Sequence, residues 1–158
     1  MEYGMMNKKF YYLTQGIGNG KTYLTSFDSA LLSSGIANYN LVKISSILPA
    51  GSTECDCVSL KEGSILHTAY AALTSNQTGA TISAAVGVAI PQDDSKVGVI
   101  MEYSAYCSKQ EAINQISLML QEAMDNRGYL IKEIKSVASE LIVPKDGYVT
   151  ALAALSIW

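Results

Sequence analysis

With 158 residues, 49% apolar and 16% charged, the chain has the length of one domain and enough apolar side chain to bury a sizeable core. A formal net charge of −3 excludes the basic footprint that nucleic acid or an acidic membrane surface would require. Residues 1–9 lack the apolar stretch of a signal peptide, residues 148–158 are too short to span a bilayer, and three cysteines suit no secreted disulfide framework, so a soluble cytoplasmic protein without membrane or nucleic-acid partners is expected.

Residues 11–13 are expected to form a short strand leading into Gln15-Gly16-Ile17-Gly18-Asn19-Gly20, a loop or hairpin because Gly and Asn tolerate positive φ. Gly20-Lys21-Thr22 ends like a phosphate-binding loop. The glycine such a loop needs five positions earlier is Gln15, however, and Tyr23-Leu24-Thr25 reads as strand rather than as the start of a helix. Thr25 or Ser26 is expected to cap a helix that stops near Gly35, with Asp28 near the positive end of its dipole. Asp28 shares a face with Leu31 or Leu32, three or four residues on.

The next stretch, Asn40-Leu41-Val42-Lys43-Ile44-Ser45-Ser46-Ile47-Leu48-Pro49, begins as a buried strand that Pro49 must end. Ser45 and Ser46 place two hydroxyls at its frayed end, where strained backbone is tolerated and often serves a mechanism. A Ser-Ser bond so placed can react with itself: the second hydroxyl attacks the preceding carbonyl, and the resulting ester eliminates. Ordinary strand-end serines are the plain alternative.

Residues 50–57 read as loop, and residues 58–61 and 64–73 as strands. After a turn at 75–79, residues 81–90 are rich in Ala, Val and Ile, as a strand buried on both faces requires. Residues 91–96 form a polar turn, and residues 97–103 a strand carrying Glu102 between Met101 and Tyr103. Ser108 and Glu111 make a capping box for a helix with Ala112, Ile116, Met119 or Leu120, and Ala123 on one stripe, closed by Gly128. Residues 129–143 and 148–158 read as a final antiparallel pair. Strand, helix, strands, helix, strands is an α+β order. No metal site is expected, because Cys55, Cys57 and His67 leave only Cys107 as a fourth ligand. A single histidine with no nucleophile elbow near it also argues against a hydrolytic triad.

Four groups of residues carry a resemblance. They are Phe27-Asp28-Ser29-Ala30-Leu31-Leu32 with Gly35-Ile36, Asn38 and Asn40-Leu41; Ile44-Ser45-Ser46-Ile47-Leu48-Pro49; Thr81-Ile82-Ser83-Ala84-Ala85 with Val88-Ala89-Ile90-Pro91; and Ile100-Met101-Glu102-Tyr103 with the helix from Cys107-Ser108-Lys109 to Arg127-Gly128. Together they resemble the pyruvoyl-dependent arginine decarboxylases over residues 22–158, nearly the whole chain. The resemblance implies an αββα sandwich of two packed, mainly antiparallel sheets flanked by helices.

It also implies one domain over residues 1–158 that cuts itself between Ser45 and Ser46 into pieces 1–45 and 46–158. Ser46 would become dehydroalanine and then, with loss of ammonia, a covalent pyruvoyl cofactor. That ketone takes the electrons released when arginine loses CO2 to give agmatine, a task pyridoxal phosphate performs elsewhere. By the same resemblance Glu102 returns the proton, Asn40 polarises the scissile carbonyl, Asp28 faces the substrate guanidinium, and Leu31 and Leu32 line its aliphatic stem. The pocket is implied to lie between protomers of a homo-oligomer, a trimer or a multiple of one. A pyruvoyl decarboxylase of another amino acid, or a non-cleaving binding or assembly protein on the same sandwich, is the alternative.

Overall fold

The computed structural model describes residues 9–158, so residues 1–8, most of the stretch read above as lacking a leader, lie outside the described residues. Nine strands and two helices are described: β1 (Phe10–Gly20), α1 (Tyr23–Ser33), β2 (Asn40–Lys43), β3 (Ile47–Leu48), β4 (Thr53–Glu54), β5 (Ile65–Ser75), β6 (Thr81–Pro91), β7 (Gly98–Ala105), α2 (Lys109–Arg127), β8 (Ile131–Ile142) and β9 (Tyr148–Ile157). They form a five-stranded sheet, β2-β5-β9-β1-β4, and a four-stranded sheet, β3-β7-β6-β8. Pairing is antiparallel except at the two outer strands of the larger sheet, where β2 runs parallel to β5 and β4 parallel to β1. The sheets face each other, α1 covers the larger and α2 the smaller, and the α+β sandwich expected from the sequence is the fold.

Period-two alternation sorts the central strands between layers. On β6, Ile82, Ala84, Val86 and Val88 face the other sheet, while Ala85 and Ala89 face α2. On β9, Val149, Ala151, Ala153 and Leu155 face the other sheet, while Leu152 and Ala154 face α1. The α2 stripe is the expected one, with Leu120 rather than Met119 as its fully buried member. Its capping box joins Ser108 to Glu111, and Gly128 ends it in the left-handed region at φ 65°.

Four readings are corrected. Gly16, Gly18 and Gly20 do not turn the chain, because β1 runs straight through them. They occur at every second residue, so all three lie on the face toward α1. A Cβ on Gly16 would fall 2.3 Å from the Ala30 carbonyl oxygen, and one on Gly18 2.2 Å from the Ala30 nitrogen. The repeat lets a helix backbone rest directly on a strand. Second, α1 starts at Tyr23, because Thr22 is its cap and shares a capping box with Thr25. The helix therefore does follow Lys21-Thr22 at once, but the residues before it are extended strand and form no loop around a phosphate.

Third, β8 and β9 do not pair with each other. β8 joins β6 and β9 joins β1 and β5, so the turn at residues 144–147 carries the chain between sheets. Fourth, residues 58–61 are not strand, the expected loop at 50–57 contains β4, and Pro91 ends β6 at a register shift rather than opening the turn.

Because the Ala30 backbone cannot yield to a methyl group, Gly18→Ala should destabilise the protein by about 1–3 kcal/mol, the usual range for overpacking. Denaturant unfolding of the variant against wild type measures this.

Candidate active site

The two serines lie where the chain changes sheets. In the larger sheet β2 ends at Lys43, opposite Thr68, and the Ile44 amide donates to the Thr68 carbonyl at 3.2 Å. In the smaller sheet the Ser46 carbonyl accepts from the Ile100 amide at 2.7 Å, and β3 continues along β7. The Ser45–Ser46 peptide thus falls between two ladders and belongs to neither. Ser45 is exposed and Ser46 half-buried. The expected backbone strain is not seen as a left-handed conformation: no described non-glycine residue has positive φ. What distinguishes this bond is its missing ladder partners and the anchors on either side of it.

Glu102 follows from the parity of β7. Val99, Met101 and Tyr103 pack toward α2, so Ile100 and Glu102 point between the sheets. β3 covers β7 only at Gly98 and Val99, and β2 covers β5 only as far as Thr68. Beyond those points both edges are open, and a cavity of about 450 Å³ lies there. Tyr70, Ala71 and Ala72 form one wall, Glu102, Tyr103 and Ser104 another, with Lys43 and the α1 residues Tyr23, Leu24 and Phe27 at its rim. Ser104 Oγ donates to the Ala72 carbonyl at 3.4 Å and so links the two walls.

Within this cavity Glu102 Oε1 lies 3.7 Å from Lys43 Nζ, while Oε2 is buried with no hydrogen-bond partner among the described residues. Loss of hydration raises the proton affinity of the carboxyl from its ordinary value. The Lys43 ammonium, by charge and hydrogen bonding, and the Tyr70 backbone amide oppose that rise without cancelling it. The Lys43 ammonium also lies 4.7 Å from the Tyr70 ring centroid.

The remaining candidates lie elsewhere in the chain. Asp28 is exposed at the sixth residue of α1, beyond the first turn, so the expected position near the helix dipole is corrected along with the helix start. Leu31 packs beneath α1 with Ile36 and Leu66, and Leu32 is 59% exposed. Neither leucine nor Asp28 lines the cavity. Asn40 opens β2, and its Nδ2 donates to the Gly63 carbonyl at 2.7 Å. Four extended residues, about 13 Å, separate it from Ile44. One chain therefore anchors Ser46 to Ile100, two residues before Glu102 on β7, although neither Ser45 nor Ser46 lines the cavity, and it places Asp28, Leu31, Leu32 and Asn40 outside the cavity lining as well.

Sequence reasoning did not single out Lys43 or Tyr70. Lys43 had a signal, as the only basic residue between Lys21 and Lys61. Tyr70 had none, because its place depends on where β2 stops.

The raised proton affinity of Glu102 fixes a sign for stability. Above its unfolded value near 4.5 the native state holds more proton than the unfolded state, so stability falls as pH rises through the folded value. Glu102→Gln should therefore melt higher than wild type at pH 8, with the gap closing at pH 4. Thermal melts at the two pH values check this.

A family model for pyruvoyl-dependent arginine decarboxylase matches residues 10–158. A protein of that description from Methanocaldococcus jannaschii is 43% identical over 143 residues, covering 90% of this chain and 87% of its own length. Others from Thermococcus sibiricus, at 43%, and Pyrococcus abyssi, at 42%, are each similar over 138 residues and 86% of both chains. Across the sandwich, both helices and the serine pair between the sheets, this chain belongs to the pyruvoyl-dependent arginine decarboxylase family.

Proposed function

We propose that the chain cuts itself between Ser45 and Ser46 and, with the pyruvoyl group so formed on Ser46, decarboxylates L-arginine to agmatine and CO2. The observation that carries this reading is a Ser-Ser peptide outside both sheet ladders, anchored by the Ser46 carbonyl to Ile100 on β7, the strand that also holds the desolvated Glu102. The bound ketone supplies an electron sink for the carbanion left when CO2 departs. The residues present fit such a group. Ser46 provides its atoms, the Ile100 amide fixes its carbonyl, and Glu102 lines a cavity able to admit an amino acid.

Glu102 is the proton donor in this reading: loss of hydration at its carboxyl favours the protonated form that a donor needs. Asn40 steadies negative charge on the scissile carbonyl, Asp28 pairs with the guanidinium, and Leu31 and Leu32 flank the substrate stem. Their separation from Glu102 within one chain supports a pocket completed by a neighbouring protomer, in a trimer or a multiple of one. Pieces 1–45 and 46–158 remain one domain. Three unbridged cysteines, Cys55, Cys57 and Cys107, suit the reducing cytoplasm. Among the described residues no helix is long and apolar enough to cross a membrane.

Intact mass should show two fragments, the larger with a blocked, borohydride-reducible N-terminus, and Ser46→Ala should remain whole. Glu102→Gln should cut but turn over arginine about 10²–10⁴-fold more slowly. An uncut protein that decarboxylates arginine would sink the reading, and an uncut, inactive one would favour the assembly role.

Asp28→Asn should leave cutting intact and weaken kcat/KM for arginine by about 2–5 kcal/mol, the usual cost of truncating a desolvated charge pair. Unchanged kinetics would remove Asp28 from the substrate site.

A further inference from the structure

We propose that Lys43 is a positioning residue for the decarboxylation, whose ammonium, placed beside the Glu102 carboxyl in the cavity wall, sets the pH at which it yields its proton. The inference rests on Glu102 being the proton donor and adds a residue that reading does not contain.

Lys43 is the last residue of β2, and its backbone is fixed on both sides. It stands opposite Thr68 in the parallel register, and the next amide, that of Ile44, is bound to the Thr68 carbonyl. From this anchor the side chain leaves the larger sheet and passes the face of Tyr70, its ammonium 4.7 Å from the ring centroid. The same ammonium reaches Glu102 Oε1, on the smaller sheet, at 3.7 Å. An aromatic face and a carboxylate, on different strands of different sheets, thus locate one charge.

That charge is a poor structural clamp. Its side chain is 55% exposed, and solvent-facing ion pairs contribute little to stability. The separation of 3.7 Å is also longer than the 2.7–2.9 Å of a tight charge-assisted hydrogen bond. As a tuner of Glu102 it is well placed. Among the described residues Lys43 is the only cation lining the cavity, where Tyr23 from α1, Tyr70 from β5 and Tyr103 from β7, the last with its ring packed toward α2, are the other titratable residues beside Glu102.

Two opposed influences meet on Glu102. Burial without a partner for Oε2 favours the protonated form, and the ammonium at Oε1 favours the ionised form. A proton donor needs both. Burial alone gives a carboxyl that keeps its proton too firmly, while hydration and a cation alone give one that has lost it before substrate arrives.

Lys43→Met and Lys43→Arg, in the processed protein, separate tuning from mere structure. A donor must start the cycle protonated, so kcat falls as pH rises through its pKa. Removing the cation raises that pKa. The descending limb of the kcat–pH profile should therefore move to higher pH in Lys43→Met and stay in place in Lys43→Arg. The Glu102 carboxyl, followed by carbon-13 NMR in the uncut Ser46→Ala background and assigned by its loss in Glu102→Gln, should titrate at higher pH when Lys43→Met is added. An unmoved limb together with an unmoved NMR midpoint overturns the inference. Should Lys43→Met not fold, Lys43→Gln carries the same comparison. Wild-type protein that neither cuts nor consumes arginine is a failure of the proposed function instead, and the NMR titration still decides whether Lys43 governs Glu102.

Discussion

Two packed sheets cannot approach more closely than their interdigitated side chains allow, about 10 Å between mean planes. Here the inter-sheet core includes small residues, Ala84 and Val86 on β6 and Ala151 and Ala153 on β9. The backbone from the Ile44 amide, held in one sheet, to the Ser46 carbonyl, held in the other, is three residues long. Extended chain covers about 3.3–3.6 Å per residue, so a bridge of this length matches the usual gap between packed sheets. Core packing and the reactive bond are therefore one problem: larger core side chains would part the sheets and pull on Ser45 and Ser46.

The same spacing determines the electrostatics next to that bridge. A glutamate pointing between two sheets is ordinarily buried without hydration, and an unpaired buried carboxylate is costly enough that it takes up a proton instead. At Glu102 the opposing sheet edges end early, which leaves the side chain 34% exposed and within reach of one cation. Neither full burial nor full hydration prevails. Strand length decides this balance, because longer β2 and β3 would close over both edges and remove the cavity.

Elements whose partners did not matter were legible in the sequence. The apolar face of α2 and its capping box read directly, as did the doubly buried β6, because periodicity reports burial whatever lies opposite. β1 was misread because glycine at every second position looks like turn chemistry until a helix is laid on it. β8 and β9 were misread as a hairpin because a short polar connection says that two strands are neighbours, not that they share a sheet. The site divides in the same way. Ser45, Ser46 and Glu102 were found through local motifs and family resemblance. Lys43 and Tyr70 join them only through register and parity on two different sheets, which no local motif encodes.

If the bond between Ser45 and Ser46 is cut, the first 45 residues still hold β1, wedged between β9 and β4 with a ladder to β9 running from Tyr11 opposite Ile157 to Gly20 opposite Tyr148. The native fold loses little, but the unfolded state gains a second free chain. Folding that was unimolecular before the cut becomes an encounter between two polypeptides after it, with the entropy of association set against it. A freshly made chain can refold at any dilution, whereas a matured one recovers only as fast as its halves meet. Maturation in this architecture is thus a ratchet on the molecule's history, and its endurance afterwards is governed by the rate of unfolding rather than by an equilibrium it can re-enter alone.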